Sequence, residues 1–419
     1  MTTLSPDGPV DVAIVGGGPA GASLALRLLA LGRRPLIVEK EDFPRYHIGE
    51  SLTGECANLL DELGLGDFMH GAGFPVKRGV MVSGASATAR FWVPVEGLAG
   101  DGTRFPATTW QVRRDEFDAK LLDTAVERGA LHIKGECVDV LREGNRVCGV
   151  TIRDSDGATH EVAARAVADC SGQHGFLCRK GVIGPKDRTG YENQVALFAQ
   201  VKGVRRDPEP NDGSTHIFYG RRHHWAWSIP LDDEVTSVGI VLPKGKLDRN
   251  DRSKAEQFAE SLSLVNPELI ARTQHAEIVS DVHAISNYSY HVRDFTGPGF
   301  ICVGDSHRFL DPIFSFGVLI ALQEAKLAAT ALNRWLDAPA EMVPLDDYAD
   351  AVNRAQAVVE YVIRTFWEFP LVFLRLAHFS HRGDIAEIFS GRLYSEKVRE
   401  IEAVGLMRDL LAKSGKMAA

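Results

Sequence analysis

What this chain lacks narrows its reading before any motif is weighed. No apolar run approaches the roughly 18 residues that cross a bilayer, so no membrane span is expected. The opening MTTLSPDGPVD has neither a basic start nor an apolar core, so a secretory leader is not expected and the cytoplasm is. The six cysteines form no C-x-x-C, and Cys170 and Cys178 match no zinc spacing. Free thiols are therefore expected, and a metal site is not. Basic residues form no block and the formal net charge is −9, which argues against a nucleic-acid partner. Repeats, low-complexity segments and a Ser-His-Asp set are missing too. What remains is a chain of ordinary globular composition, 45% hydrophobic and 25% charged. At 419 residues it is too long for one compact core, so two or three lobes are expected.

The firmest feature is present in the first forty residues. An apolar run, Val12 to Val15, enters Gly16-Gly17-Gly18-Pro19-Ala20-Gly21, a G-x-G-x-x-G. Leu24, Leu28 and Leu31 then share a helical face, Gly32 ends the helix, and a second strand, Pro35 to Val38, closes on Glu39 and Lys40. This is a complete βαβ unit with an acid about 20 residues on, the dinucleotide pattern. Gly16 permits the tight turn, Gly18 lets backbone approach a pyrophosphate, and Gly21 lets helix and strand pack closely. The helix N-terminus offers free N–H groups and the positive end of its dipole to phosphate. Glu39 can accept hydrogen bonds from a ribose.

Beyond this unit the chain alternates in character. A polar turn stretch, DFPRYHIGESL (Asp42 to Leu52), precedes a helix over Thr53 to Leu63, capped near Ser51 or Thr53, and a glycine-containing loop, Gly64 to Gly73. VMVSGASATARFWV reads as two strands turning at Gly84, and a helix is expected over Arg114 to Arg128. Gly144-Asn145 marks a hairpin. Ala163 to Asp169 reads as a strand ending at Ser171-Gly172, and alternation from about Gln194 to Val241 predicts an antiparallel sheet. Asp248 to Gln274 reads as helical, Gly299 to Asp305 as a strand ending in Gly-Asp, and the remainder as helical. The expected fold class is α/β, α+β overall: a Rossmann-like dinucleotide-binding domain with an antiparallel-sheet substrate lobe and a helical C-terminal region. Residues 8–75, 110–180 and 280–335 are assigned to the first, 76–109 and 185–279 to the second, and 336–419 to the third.

At Gly304-Asp305 a carboxylate is suited to a ribityl or ribose hydroxyl, and Arg113 or Arg114 is a second candidate cofactor contact. GxGxxG…E, Asp169-Cys170-Ser171-Gly172 and Gly304-Asp305 together resemble the glutathione-reductase-type flavoproteins of the aromatic hydroxylase class, which implies a Rossmann-like FAD-binding domain of glutathione-reductase type. Four local segments resemble, more particularly, the flavin-dependent halogenases. They are Gly49-Glu50-Ser51, Phe74-Pro75-Val76-Lys77-Arg78-Gly79 where that family carries its reactive lysine, Trp225-Ala226-Trp227-Ser228-Ile229-Pro230 (W-x-W-x-I-P), and Phe309 to Gly317 (F-x-x-P-x-x-S-x-G). The resemblance covers roughly residues 8 to 335.

This resemblance implies a chemistry. Reduced FAD and O2 oxidise chloride or bromide to hypohalous acid, which passes through a tunnel to Lys77 for delivery to an electron-rich phenol or pyrrole, free or bound to a carrier protein. FADH2 would come from a separate flavin reductase, since there is one G-x-G-x-x-G and no nicotinamide fold. Cofactor contacts are expected from Gly16, Gly18, Ala20, Gly21, Glu39, Lys40, Glu50, Ser51, Arg113, Asp305 and Gly317. Halide is expected at the backbone of Ser315, Phe316 and Gly317, and the tunnel wall from Trp225, Trp227 and Pro312. Phe316 departs from the pattern: phenol-type halogenases carry a small hydroxyl residue there, and a phenylalanine is expected to crowd the halide pocket. Flanked by Phe74, Pro75 and Val76, Lys77 is expected to be partly buried, with a lowered pKa. The same scaffold also serves FAD-dependent monooxygenases and geranylgeranyl-reductase-like oxidoreductases.

Overall fold

The computed structural model describes residues 2–3, 9–86, 89–99, 103–246 and 252–416. The opening strand Val10–Val15 is apolar on both faces because it lies in the middle of a parallel sheet covered on both sides. Its parallel neighbours are Pro35–Glu39 and Thr159–Asp169; beyond them lie Leu131–Glu143 and Phe300–Cys302. Strands far apart in sequence are thus brought to one edge with their carboxyl ends aligned, the place where ligands collect in such sheets. The hairpin Leu131–Glu143 and Arg146–Asp154 extends the sheet antiparallel.

The turn after the opening strand is tightly packed. Gly16 adopts φ +104°, a left-handed conformation natural to glycine. A Cβ on Gly21 would stand 1.9 Å from the Gly16 carbonyl oxygen, so only glycine lets the helix Pro19–Ala30 seat against the turn. Pro19 begins that helix, where its missing N–H costs nothing.

A second sheet runs in the order Glu277–Ile278, Gln194–Lys202, Val235–Pro243, Trp225–Pro230, Thr215–Tyr219, Gly79–Ser83, Arg90–Pro94, with His283–Ser286 also pairing Gln194–Lys202. It is antiparallel except at one seam, where Gly79–Ser83 runs parallel to Thr215–Tyr219. The long helices Gly317–Asp337 and Val343–Glu368 pack on each other, and the rest of the tail is mostly helical to Lys413.

Three local expectations need correction. The stretch read as one helix over Asp248 to Gln274 is two, Lys254–Leu262 and Pro267–Thr273; Ser253 and Asn266 each cap a new start, and residues 248–251 lie outside those described. The glycine-containing loop 64–73 contains a helix, Gly66–Gly71. Thr53 is the N-cap of Gly54–Glu62, but its side chain makes no capping bond and lies near the Cys56 thiol instead. Residues 87–88, within the stretch read as two strands, are also outside those described.

Gly21→Ala should lower unfolding free energy by about 2 kcal/mol through overpacking and reduce retained flavin. Gly71→Ala, a helical site with open space around it, should leave both nearly unchanged. Urea unfolding and flavin absorbance of the purified protein measure the two effects.

Candidate active site

The carboxyl ends of the parallel strands and one face of the second sheet enclose a cavity of about 670 Å³, within the range of cofactor sites. Gly16, Gly18, Ala20, Glu39 and Lys40 line it, as do Asp305, Pro312, Ser315 and Gly317. Glu50, Ser51, Trp225 and Trp227 also face it. Most of the residues singled out in the sequence therefore converge on one space.

Several details suit a flavin dinucleotide. The helix Pro19–Ala30 has no side-chain cap at Gly18, leaving its first N–H groups to a ligand. A Cβ on Gly18 would meet nothing nearer than the Arg45 guanidinium at 3.6 Å, so there is open space in front of the turn. The buried Glu39 carboxylate accepts from the Gly17 N–H at 2.7 Å and the Glu41 N–H at 2.8 Å, which fixes it at the cavity rim. Gly21 does not line the cavity; it packs behind the turn.

Of the arginine pair, Arg114 faces the cavity and Arg113 does not. Arg113 precedes the helix Arg114–Glu127 and turns to an ion pair with Asp232. Arg114 is buried; its guanidinium grips Asp118 through two bonds of 2.8 and 2.9 Å and donates to the Ile48 carbonyl at 2.6 Å. It thereby pins the Gly49-Glu50-Ser51 segment. Glu50 is 2% exposed, and burial raises its carboxyl pKa. His47, on the same segment, lines the cavity, its Nδ1 2.6 Å from the Ile48 carbonyl. His223 and His224 lie outside the cavity lining.

Lys77 is 2% exposed, more deeply buried than expected. Its Nζ donates to Ser51 Oγ at 2.8 Å and to the Leu52 carbonyl at 2.6 Å. Ser51 Oγ lies 2.7 Å from Thr215 Oγ1, which accepts from Gln111 Nε2 at 2.8 Å. Ser51 and Thr215 line the cavity and Lys77 stands directly behind them. Burial pulls the lysine pKa down to about 7, partly offset by Cys56. Thr215 and Gln111 carried no motif; their signal is only a polar residue at a buried strand or bridge position.

Ser315 adopts φ +59°, an uncommon conformation for a non-glycine residue, and turns the chain into the helix Gly317–Asp337, which has no side-chain cap. The ring of Phe316 does not crowd this turn. It is 4% exposed and packs edge-on against Phe389, centroids 6.2 Å apart, while Ser315 and Gly317 face the cavity. Trp225 and Trp227 share a strand face, with ring centroids 5.6 Å apart. Phe198, His283 and Tyr46 continue this aromatic wall, Tyr46 stacking on His283 at 4.5 Å.

A further buried group without a motif is a carboxylate. Glu324, in the middle of Gly317–Asp337, is fully buried; it accepts from the Gly304 N–H at 2.6 Å, Gln356 at 3.1 Å and the Tyr394 hydroxyl at 3.1 Å. His307 Nε2 lies 3.0 Å away. Burial alone would raise its pKa, yet His307 and these donors hold it below the usual value. Burial and the Glu324 charge push Asp305 up to about 7.

Comparison with known proteins decides the family. A family model described as FAD binding domain matches residues 9–362. A 1H-pyrrole-2-carbonyl-(peptidyl-carrier protein) brominase of Pseudoalteromonas luteoviolacea is 38% identical over 87% of this chain and 87% of its own length. The chain belongs to the flavin-dependent halogenases. The corresponding chlorinase of Pseudomonas fluorescens is 28% identical over 97% of this chain and 94% of its own. The solved flavin-dependent brominase Bmp2 superposes with a TM-score of 0.90 at 34% identity, covering 98% of this chain and 100% of that one. This halogenase-family chain is thus a flavin-dependent oxidoreductase with FAD as its cofactor. Among the described residues no helix is long and apolar enough to cross a membrane, and no three histidine, cysteine or carboxylate side chains cluster so as to hold a metal ion.

The lysine environment gives a pH test. An amine held near 7 in the fold but near its ordinary value of about 10.4 when unfolded binds fewer protons folded than unfolded between those values. Its burial cost is complete below about pH 7, and stability rises with pH through that window. Lys77→Met should therefore flatten the rise in urea-unfolding free energy between pH 7 and pH 10 relative to the unsubstituted protein.

Proposed function

We propose that this chain is a FADH2-dependent halogenase that uses O2 and bromide or chloride to halogenate a pyrrole carried on a peptidyl-carrier protein, with hypohalous acid delivered at Lys77. FADH2 comes from a separate flavin reductase. The observation that carries the reading is the amine of Lys77, buried behind Ser51 with a pKa near 7. At neutral pH such an amine keeps both a lone pair able to take electrophilic halogen and an ammonium fraction able to donate to hypohalous acid. The carrier-bound pyrrole rests on the brominase and chlorinase relatives.

The flavin, when bound and reduced, supplies with O2 the oxidising equivalents. The chain's own residues hold and partition. The Gly16–Ala20 turn and the uncapped helix behind it take the pyrophosphate, and Glu39 takes a ribose hydroxyl. Asp305 takes the ribityl chain, and Arg114 rather than Arg113 fixes the Gly49–Ser51 segment beside it. The Ser315–Gly317 turn offers backbone N–H groups to halide, and Trp225 and Trp227 separate the flavin from the organic substrate. In this division, the parts assigned above to residues 8–75, 110–180 and 280–335 hold cofactor, and 76–109 with 185–279 supply the wall and Lys77.

The test is mass spectrometry of a pyrrolyl carrier protein incubated with the enzyme, a flavin reductase, NADH and bromide. A bromine isotope doublet is expected, whereas a gain of one oxygen would assign hydroxylation instead. Lys77→Ala should lose brominated product by at least about 100-fold, with bound FAD and flavin reoxidation retained. Product persisting in that variant refutes delivery at Lys77.

A further inference from the structure

One surface segment is built unlike its surroundings. The helix Pro370–Arg375 runs into the π-helical turn Leu376–Ser380, and a further helix begins at Arg382. Its inner residues are core: Phe373 packs on Phe314, Phe91 and Phe366, and Leu376 and Ala377 are buried beside it. Its outer face is apolar as well. Leu371 is 80% exposed and Phe379 83%, the most exposed large apolar side chains among the described residues, with Val372 beside them. Spaced at four and eight positions, Leu371, Arg375 and Phe379 fall on one side of the helical turns.

The charge on this face is also local. The chain carries a formal net charge of −9, yet Arg375 and Arg382 stand exposed on the segment with no ion pair among the described residues. Of the acids on the adjoining helices, Asp384 accepts from the Ala403 N–H and Glu387 pairs with Arg104, while Glu402 reaches His381 of the segment itself and leaves both guanidinium groups unpaired. An exposed aromatic and leucine flanked by free guanidinium groups has the composition of an interface centre. On an otherwise acidic protein it steers an acidic partner to this one face.

The segment's inner side ties it to the candidate site. Phe314, on which Phe373 and Phe389 both pack, immediately precedes Ser315 in the candidate halide turn. The Ser390 carbonyl accepts from the Glu55 N–H at 2.7 Å, next to the segment whose Leu52 carbonyl holds Lys77. A partner seated on the outer face is separated from the candidate halide turn by the layer that Phe373 and Phe314 form, a separation suited to a substrate presented on a flexible arm.

We propose that the outer face of 371–382 is the docking surface for the acidic carrier protein that presents the substrate, with Leu371 and Phe379 as apolar anchors and Arg375 and Arg382 as steering charges. This rests on the carrier-bound reading of the substrate, and the test separates the two. Binding of a fluorescently labelled pyrrolyl carrier protein to the FAD-loaded enzyme is measured by anisotropy, alongside bromination of a small diketone trap that reports hypobromite without a carrier. In Leu371→Glu/Phe379→Glu, and independently in Arg375→Glu/Arg382→Glu, the carrier Kd should rise by roughly tenfold or more, with bound FAD and trap bromination unchanged. The arginine variant should also lose most of the salt dependence of binding. An unchanged Kd in both variants overturns the proposal, as does concentration-dependent dimerisation of the unsubstituted enzyme that the variants abolish. Variant-sensitive carrier binding without bromination of carrier or trap would uphold the dock and sink the halogenase reading.

Discussion

The buried carboxylate of Glu324 is the constraint on which the arrangement around the cavity depends. A charge with no access to water is tolerable only when its hydrogen-bonding capacity is filled by groups that cannot move away. Here those groups come from three separate stretches: the Gly304 N–H with His307, Gln356 of the long helix, and Tyr394 of the tail. Removing one partner of such a set typically costs about 3–5 kcal/mol, so the strand end bearing Gly304-Asp305 is held to the helical region by an interaction that resists partial loosening. The same negative charge raises the neighbouring Asp305. One acid thus fixes the position of another and shifts it toward its protonated, hydrogen-bond-donating form.

The parts of the fold that were legible in the sequence are those in which each local signal agreed with the next. The opening unit combined an apolar run, a glycine turn, a helical face and an acid, and no other structure satisfies all four. The Gly144-Asn145 hairpin and the strand ending in Gly304-Asp305 were readable for the same reason. The helix break at Asn266-Pro267 was present in the sequence as a cap and a proline, but charged and small residues on both sides masked it. Arg113 and Arg114 could not be told apart, because adjacent residues at a helix start leave it in different directions. Glu324 had a faint signal: an acid among Leu322, Ala325 and Ala328 on a stripe that is otherwise apolar.

Phe316 shows how a sequence departure can be displaced in space. Its backbone occupies the expected turn, but the left-handed Ser315 before it aims the ring at Phe389 and away from the cavity. The substitution belongs to the packing of the tail, and the turn itself keeps its backbone donors. Lys77 makes the complementary point. Its short strand is paired with Thr109 and Trp110, and that pairing places the amine behind Ser51. A residue with no access to the cavity surface is nonetheless one hydroxyl away from it.

The single parallel seam between Gly79–Ser83 and Thr215–Tyr219 has a consequence for how the protein is made. A ribosome exposes the first of these strands long before the second exists, and the parallel sheet likewise waits for Phe300–Cys302 to gain its last parallel neighbour. Both sheets therefore close late, across long intervening segments, and the entropy of that closure must be met before either core is complete. Until roughly three quarters of the chain has been synthesised, the nascent protein has apolar strands with unpaired edges, the kind of surface on which aggregation starts.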